Sequence, residues 1–116
     1  MGSFTFPRSH HLKKPSEFRA VFDRGVKRHS RGFIFFRAAS SLPVPRLGVS
    51  VSRKIGGAVV RNRVKRLLRE AFRLQAQALH LQGSDLVIIA KRGAEKLTFQ
   101  DVSREFSTSA SPRRSP

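Results

Sequence analysis

The sequence predicts one mixed α/β domain, and three stretches carry that prediction. Residues 58–73 repeat apolar positions at helical spacing. Leu47 to Ala90 reads as strand, helix, strand. Phe33-Ile34-Phe35-Phe36 is apolar on both faces, so it belongs inside a sheet and not at its edge. A length of 116 residues fits a single domain with a modest core, and 39% apolar content keeps it in the folded class.

Residues 1–11 read as an irregular, flexible basic arm that includes Arg8, His10 and His11. Ser16 is a candidate N-cap after Pro15, for a short helix from about Glu17 to Arg24 that Gly25 ends as the C′ residue. Phe18, Val21 and Phe22 share one face of it. Both phenylalanines either pack into the core or, beside Arg19 and Arg24, form an aromatic surface on which bases stack. Val26 to Ala39 is a strand pair or one long bent strand. Ser40 to Pro45 is a loop marked by Pro43 and Pro45.

Arg46 to Arg53 alternates. Leu47, Val49 and Val51 should face the core, while Gly48, Ser50 and Ser52 leave a small-residue face that another element or a nucleic-acid backbone can approach. Arg53 and Lys54 should end the strand, with Gly56-Gly57 turning the chain into the next helix. At about 100° per residue, Val60, Val64, Leu67, Leu68 and Ala71 form that helix's buried stripe. The helix should run on through Leu74, Ala78 and Leu79 to a stop at Gly83. Ser84 to Ala90 is a buried strand. Thr98 and Asp101 are spaced as a capping box for a closing helix with Val102 and Phe106 inward. Ser107 to Pro116 reads as a disordered tail.

The helix from residue 58 opposes itself. Arg61, Lys65, Arg69 and Arg73 recur every four residues, and Arg63 and Arg66 widen that basic face. Each like-charge pair on the ladder repels by roughly 0.2–0.5 kcal/mol. Cations in the first turn cost about 0.3–1 kcal/mol each against the macrodipole. Only Glu70, near Arg66 and Arg73, offsets this. The plain alternative is a solvated basic face; a partner of opposite charge explains the pattern better.

The bulk charge says the same. Lys+Arg of 24 against Asp+Glu of 7 gives +17. Such a charge implies an extended polyanion, with nucleic acid first and an acidic membrane surface second. Residues 46–73 hold nine Lys/Arg and one acid, and residues 8–31 hold eight and two. Both clusters alternate with apolar residues that fix them on folded elements. Arginine outnumbers lysine in the helix, which suits bidentate phosphate contacts and stacking on unpaired bases. No apolar run approaches a membrane span, and there is no apolar signal core. With no cysteine there is no disulfide or thiolate zinc site, and a cytoplasmic location is expected. His10, His11, His29 and His80 make no acid–base pair, the seven carboxylates show no Mg²⁺ spacing, and Ser50 and Ser52 lack a base. No self-contained catalytic site and no bound metal are expected.

The run Arg53-Lys54-Ile55-Gly56-Gly57-Ala58-Val59-Val60-Arg61-Asn62-Arg63-Val64-Lys65-Arg66-Leu67-Leu68-Arg69-Glu70 closely resembles the signature of the protein subunit of bacterial ribonuclease P. Its centre, Arg61-Asn62-Arg63, is similar to that family's RNR motif. The resemblance spans about Leu12 to Phe106. It takes in Leu12-Lys13-Lys14, Phe18 and Phe22, the strand Leu47 to Ser52, and Asp85 to Lys91.

This resemblance implies an α/β sandwich of order α-β-β-β-α-β-α over residues 12–106, of the type of the second domain of ribosomal protein S5. It also implies a left-handed crossover through the central helix, where strand pattern alone favours a right-handed one. It implies a function too: the protein assists a large catalytic RNA that, with Mg²⁺, cleaves precursor tRNA to free the mature 5′ end. Carried over by position, Arg53, Lys54, Arg61, Asn62, Arg63, Lys65, Arg66 and Arg69 would face the catalytic RNA. Lys13, Lys14, Phe18, Phe22 and Phe36 would hold the single-stranded 5′ leader. Phe36 stands where the family often has tyrosine, and Gly57 where a bulkier residue is common. No membrane or small-molecule substrate is implied. The alternatives are a structural RNA-binding protein of the ribosome, which composition fits equally well, and a stand-alone ribonuclease.

Overall fold

The structure is a computed structural model that describes residues 10–110. In chain order it contains α1 (Pro15–Arg24), β1 (Val26–His29), β2 (Phe33–Ala39), β3 (Arg46–Ser50), α2 (Ala58–Gln75), β4 (Ser84–Ala90), a single 3₁₀ turn (Ala94–Lys96) and α3 (Phe99–Ser109). The expected order of elements is observed. Val26 to Ala39 resolves into two strands of an antiparallel hairpin. The sheet runs β1-β2-β4-β3, with β3 parallel to β4 and the other pairs antiparallel. Phe33 to Phe36 therefore lies on an interior strand, as its two-sided apolarity requires.

One face of the sheet is covered by α2 and α3. Phe33, Phe35, Leu47, Leu86 and Ile88 meet Val64, Leu68, Ala71 and Phe72 of α2 and Val102 and Phe106 of α3. Edge-on rings link the layers: Phe33–Phe35 at 6.1 Å, Phe35–Phe106 at 5.9 Å and Phe72–Phe106 at 6.4 Å between centroids. The expected stripe of α2 is this buried face, with Val60 and Leu67 half-buried at its margins. The other face carries α1 alone, on a smaller apolar footing of Leu12, Val21, Ala38 and Val87.

Three helix boundaries differ from expectation. The N-cap of α1 is Lys14, not Ser16. Pro15 takes the first helical position, where its missing N–H is no loss. Glu17 Oε1 then accepts the backbone N–H groups of Lys13 and Lys14 at 3.0 and 3.1 Å. Gly25 closes the helix as expected, in an extended conformation (φ −81°, ψ 155°). Glycine is needed there for space, because a Cβ would lie 2.5 Å from the Val21 carbonyl oxygen and 3.1 Å from that of Arg37.

α2 ends at Gln75, short of the expected stop at Gly83. Hydrogen-bonded turns continue to His80, whose φ of 55° reverses the chain, and Leu81 N–H returns to Ala76 O at 2.9 Å. α3 runs past Phe106 to Ser109, so the chain from Ser107 to Ala110 is ordered structure and not tail. Ser109 and Ala110 are buried, and Arg37 donates to the Ala110 carbonyl at 2.9 Å. The capping box of α3 forms as expected: Thr98 Oγ1 accepts from Asp101 N–H at 3.2 Å, and Asp101 Oδ2 from Thr98 N–H at 3.1 Å. Of the expected arm, His11 forms a parallel bridge with Leu47, and Leu12 N–H donates to Leu47 O at 2.9 Å. That contact supplies the outer edge of β3 with a partner. Residues 1–9 of the arm and 111–116 of the tail lie outside the described residues. No helix among the described residues is long and apolar enough to cross a membrane.

Candidate nucleic-acid interface

The basic surface begins where β3 ends. Val51 and Ile55 are buried, and the turn between them pushes Arg53 and Lys54 into solvent. Ile55 N–H bonds Ser52 O at 3.1 Å to close this turn. Arg53 and Lys54 thus follow the strand, which stops at Ser50, and do not end it. Gly56 must be small, since a Cβ would approach Val60 Cγ1 to 2.9 Å. Gly57 is the N-cap of α2, and a Cβ there would have nothing within 4 Å, so a bulkier residue fits.

On α2, Asn62, Arg63 and Arg66 are exposed, and Arg61, Lys65 and Arg69 are half-buried along one side. The first turn holds no acid. Glu70 turns to Arg73, whose Nε donates to Oε1 at 3.1 Å, and that bond holds the Glu70 carboxyl below its usual range. Glu70 is thereby drawn away from Arg66. Among the described residues the ion pairs are Arg46 with Glu17 and Asp85, Arg73 with Glu70, and Arg104 with Asp101. The cations of this ladder other than Arg73 are not among them.

Two of these cations also bond within the protein. Arg61 Nε donates to Gly56 O at 3.1 Å. Arg63 donates to Leu97 O at 3.1 Å and Glu95 O at 3.4 Å, tying α2 to the 3₁₀ turn. Helical spacing alone does not reveal either bond, because both depend on where a neighbouring loop passes.

The second surface lies on the opposite face of the sheet. A groove of about 500 Å³ runs between α1 and β3, lined by Lys13, Pro15, Phe18, Arg19, Phe22, Val49 and Ser50. Phe18 is half-buried against Gly48, and Phe22 is 39% exposed. Their rings meet edge-on at 6.3 Å, and Phe22 meets Phe36 at 4.8 Å. The small-residue face of β3 has a clear use, because a Cβ at Gly48 would lie 2.6 Å from Phe18 Cζ.

Lys13 reaches the groove. Lys14 is exposed at the start of α1, and Phe36 backs Phe22 without lining the groove. Sequence reasoning missed Lys27, whose Nζ lies 5.8 Å over the Phe36 ring. The hairpin register pairs Lys27 with Phe36, so a fixed register would have found it. It also missed Val49 and Ser50 as lining. The basic helix and the aromatic groove therefore use opposite faces of one sheet. They approach each other where Ser50, at the groove, leads within three residues to Arg53.

The family model for Ribonuclease P matches residues 6–111. A ribonuclease P protein component from Brevibacillus brevis is 46% identical over 100 residues, covering 85% of this chain and 79% of that protein. One from Streptococcus thermophilus is 42% identical over 95 residues, covering 82% and 84%. The solved structure of the Staphylococcus aureus RNase P protein superposes with a TM-score of 0.79 at 28% identity, covering 87% of this chain and 92% of that one. The RNase P protein from Thermotoga maritima gives 0.74 at 26% identity, covering 84% and 92%. With the match running through both surfaces and every element between them, the chain belongs to the family of ribonuclease P protein components.

Proposed function

We propose that the protein grips two RNAs at once: the catalytic RNA of ribonuclease P on the α2 side, and the single-stranded 5′ leader of precursor tRNA in the α1 groove. The observation that carries this reading is the separation of the basic helix from the aromatic groove by the thickness of one sheet. On the α2 side, Arg53, Lys54, Arg61, Asn62, Arg63, Lys65, Arg66 and Arg69 would meet phosphates and unpaired bases. Arginine forks suit both. In the groove, Phe18 and Phe22, backed by Phe36, would stack bases, each such contact worth about 1–3 kcal/mol. Lys13 and Lys14 would hold the leader's phosphates.

In this reading the cleavage of precursor tRNA belongs to the RNA. Two RNA polyanions repel, and a +17 protein between them lowers that repulsion. Mg²⁺ would act with the RNA. The protein's carboxylates are a poor site for it, because most are already engaged. Glu17 and Asp85 bond Arg46, Glu70 bonds Arg73, Glu95 and Glu105 accept backbone N–H groups, and Asp101 caps α3.

The test is the salt dependence of binding to the catalytic RNA. Arg66→Ala, at an exposed residue, should weaken binding, reduce the slope of log K against log [salt] by about one, and leave the melting temperature unchanged. Arg63→Ala should do the same and also lower stability, since it strips the bonds to Leu97 and Glu95. An unchanged slope for both variants would remove α2 from the interface.

A further inference from the structure

Arg46 belongs to the basic cluster by sequence, yet it points inward. Its Nε and Nη2 fork onto the carboxylate of Asp85 at 2.9 and 2.8 Å. Its Nη1 reaches Glu17 Oε2 at 3.4 Å. Asp85 is only 4% exposed. β3 and β4 place Arg46 and Asp85 side by side in register, on the same face as Gly48 and Val87, under α1. One guanidinium thus joins β3, β4 and the first turn of α1.

Glu17 carries the connection into the groove. Its second oxygen accepts the backbone N–H groups of Lys13 and Lys14, and the next residue in the helix is Phe18. The fully buried footing of α1 is small, with Phe18 and Phe36 packed against it, and Phe18 stands directly over Gly48. The Asp85–Arg46–Glu17 chain therefore ties the N-terminus of α1 to β3 and β4 in addition to the packing. We infer that Arg46 is a positioning residue for the leader groove: through Glu17 it sets where Lys13, Lys14 and Phe18 stand, without itself touching RNA. This inference rests on the reading of the groove as the leader site.

The ribonucleoprotein reconstituted with its catalytic RNA provides the test. The readout is leader discrimination, the ratio of affinities for precursor tRNA with a long and with a minimal leader. Arg46→Lys keeps the charge but cannot fork onto Asp85. It should cut discrimination by about tenfold. Affinity for the catalytic RNA and its salt slope should stay as in the unaltered protein. Glu17→Gln leaves the Arg46–Asp85 fork in place and weakens the link to α1 together with the charged cap on the Lys13 and Lys14 N–H groups; it should cut discrimination by about threefold. It carries the test if Arg46→Lys fails to fold.

Phe18→Ala is the control for the groove itself. Loss of discrimination in Phe18→Ala but not in folded Arg46→Lys or Glu17→Gln would overturn the positioning role alone. Unchanged discrimination in Phe18→Ala would overturn the groove reading and this inference with it.

Discussion

Replacing Gly48 with alanine tests the packing that forms the groove. The added methyl would lie 2.6 and 3.0 Å from Phe18 Cζ and Cε1, and 3.1 Å from Leu12 Cβ. Overpacking of this kind costs about 1–3 kcal/mol. Alanine returns about 0.4–1 kcal/mol by restricting the unfolded chain. The net expectation is a loss of about 1–2 kcal/mol, or a fall of roughly 3–8 °C in melting temperature for a domain of this size. Leu12 blocks the inner side, so Phe18 can escape only outward, toward Phe22. Whatever strain the ring sheds that way should reappear as weaker binding of long-leader precursor tRNA. Thermal melting by circular dichroism and leader affinity in the reconstituted complex read the two effects. If both stay at the values of the unaltered protein, the account of Gly48 and Phe18 is wrong.

Other positions give independent checks. Gly57→Ser places a hydroxyl where nothing lies within 4 Å and lets it cap the first turn of α2, so stability should rise by a few tenths of a kcal/mol; a lower melting temperature would refute the open space. Acid should loosen the two cap carboxylates. The Glu17 carboxyl is held below its ordinary 4.5 by the Lys14 and Lys13 N–H groups, and Asp101 below its ordinary 3.8 by Thr98. A group depressed in the folded state stabilises fully above its unfolded pKa, and that contribution is lost as pH falls through the folded one. Glu17→Gln and Asp101→Asn should therefore flatten the stability curve below about pH 4.5 and lower stability near neutrality. Parallel curves for variant and unaltered protein at acid pH would contradict this.

Periodicity gave the elements readily, since each buries one face. The stripe of α2, the two-sided β2 and β4, and the Thr98–Asp101 box follow from spacing alone. The missed boundaries have tertiary causes. Lys14 caps α1 because Glu17 folds back to it, which Pro15 at the first position and an acid two residues later could have signalled. α3 outlasts Phe106 because Arg37, from a strand far away in sequence, holds the Ala110 carbonyl. The same limit applies to the sites. Exposed cations of α2 are legible one by one, but the inward turn of Arg46 and the bonds of Arg63 depend on partners that only the fold supplies. Composition fitted a ribosomal protein as well as it fitted this family. The ordered motifs separated the two, and the family match agrees with them.

The central claim is that the protein lends charge and a leader groove to an RNA that does the cutting. The most direct measurement is cleavage of precursor tRNA by the catalytic RNA across a Mg²⁺ titration, with and without the protein. The protein should shift the curve to lower Mg²⁺, and protein freed of RNA should cut nothing. An unshifted curve, or cleavage by the RNA-free protein, would contradict it.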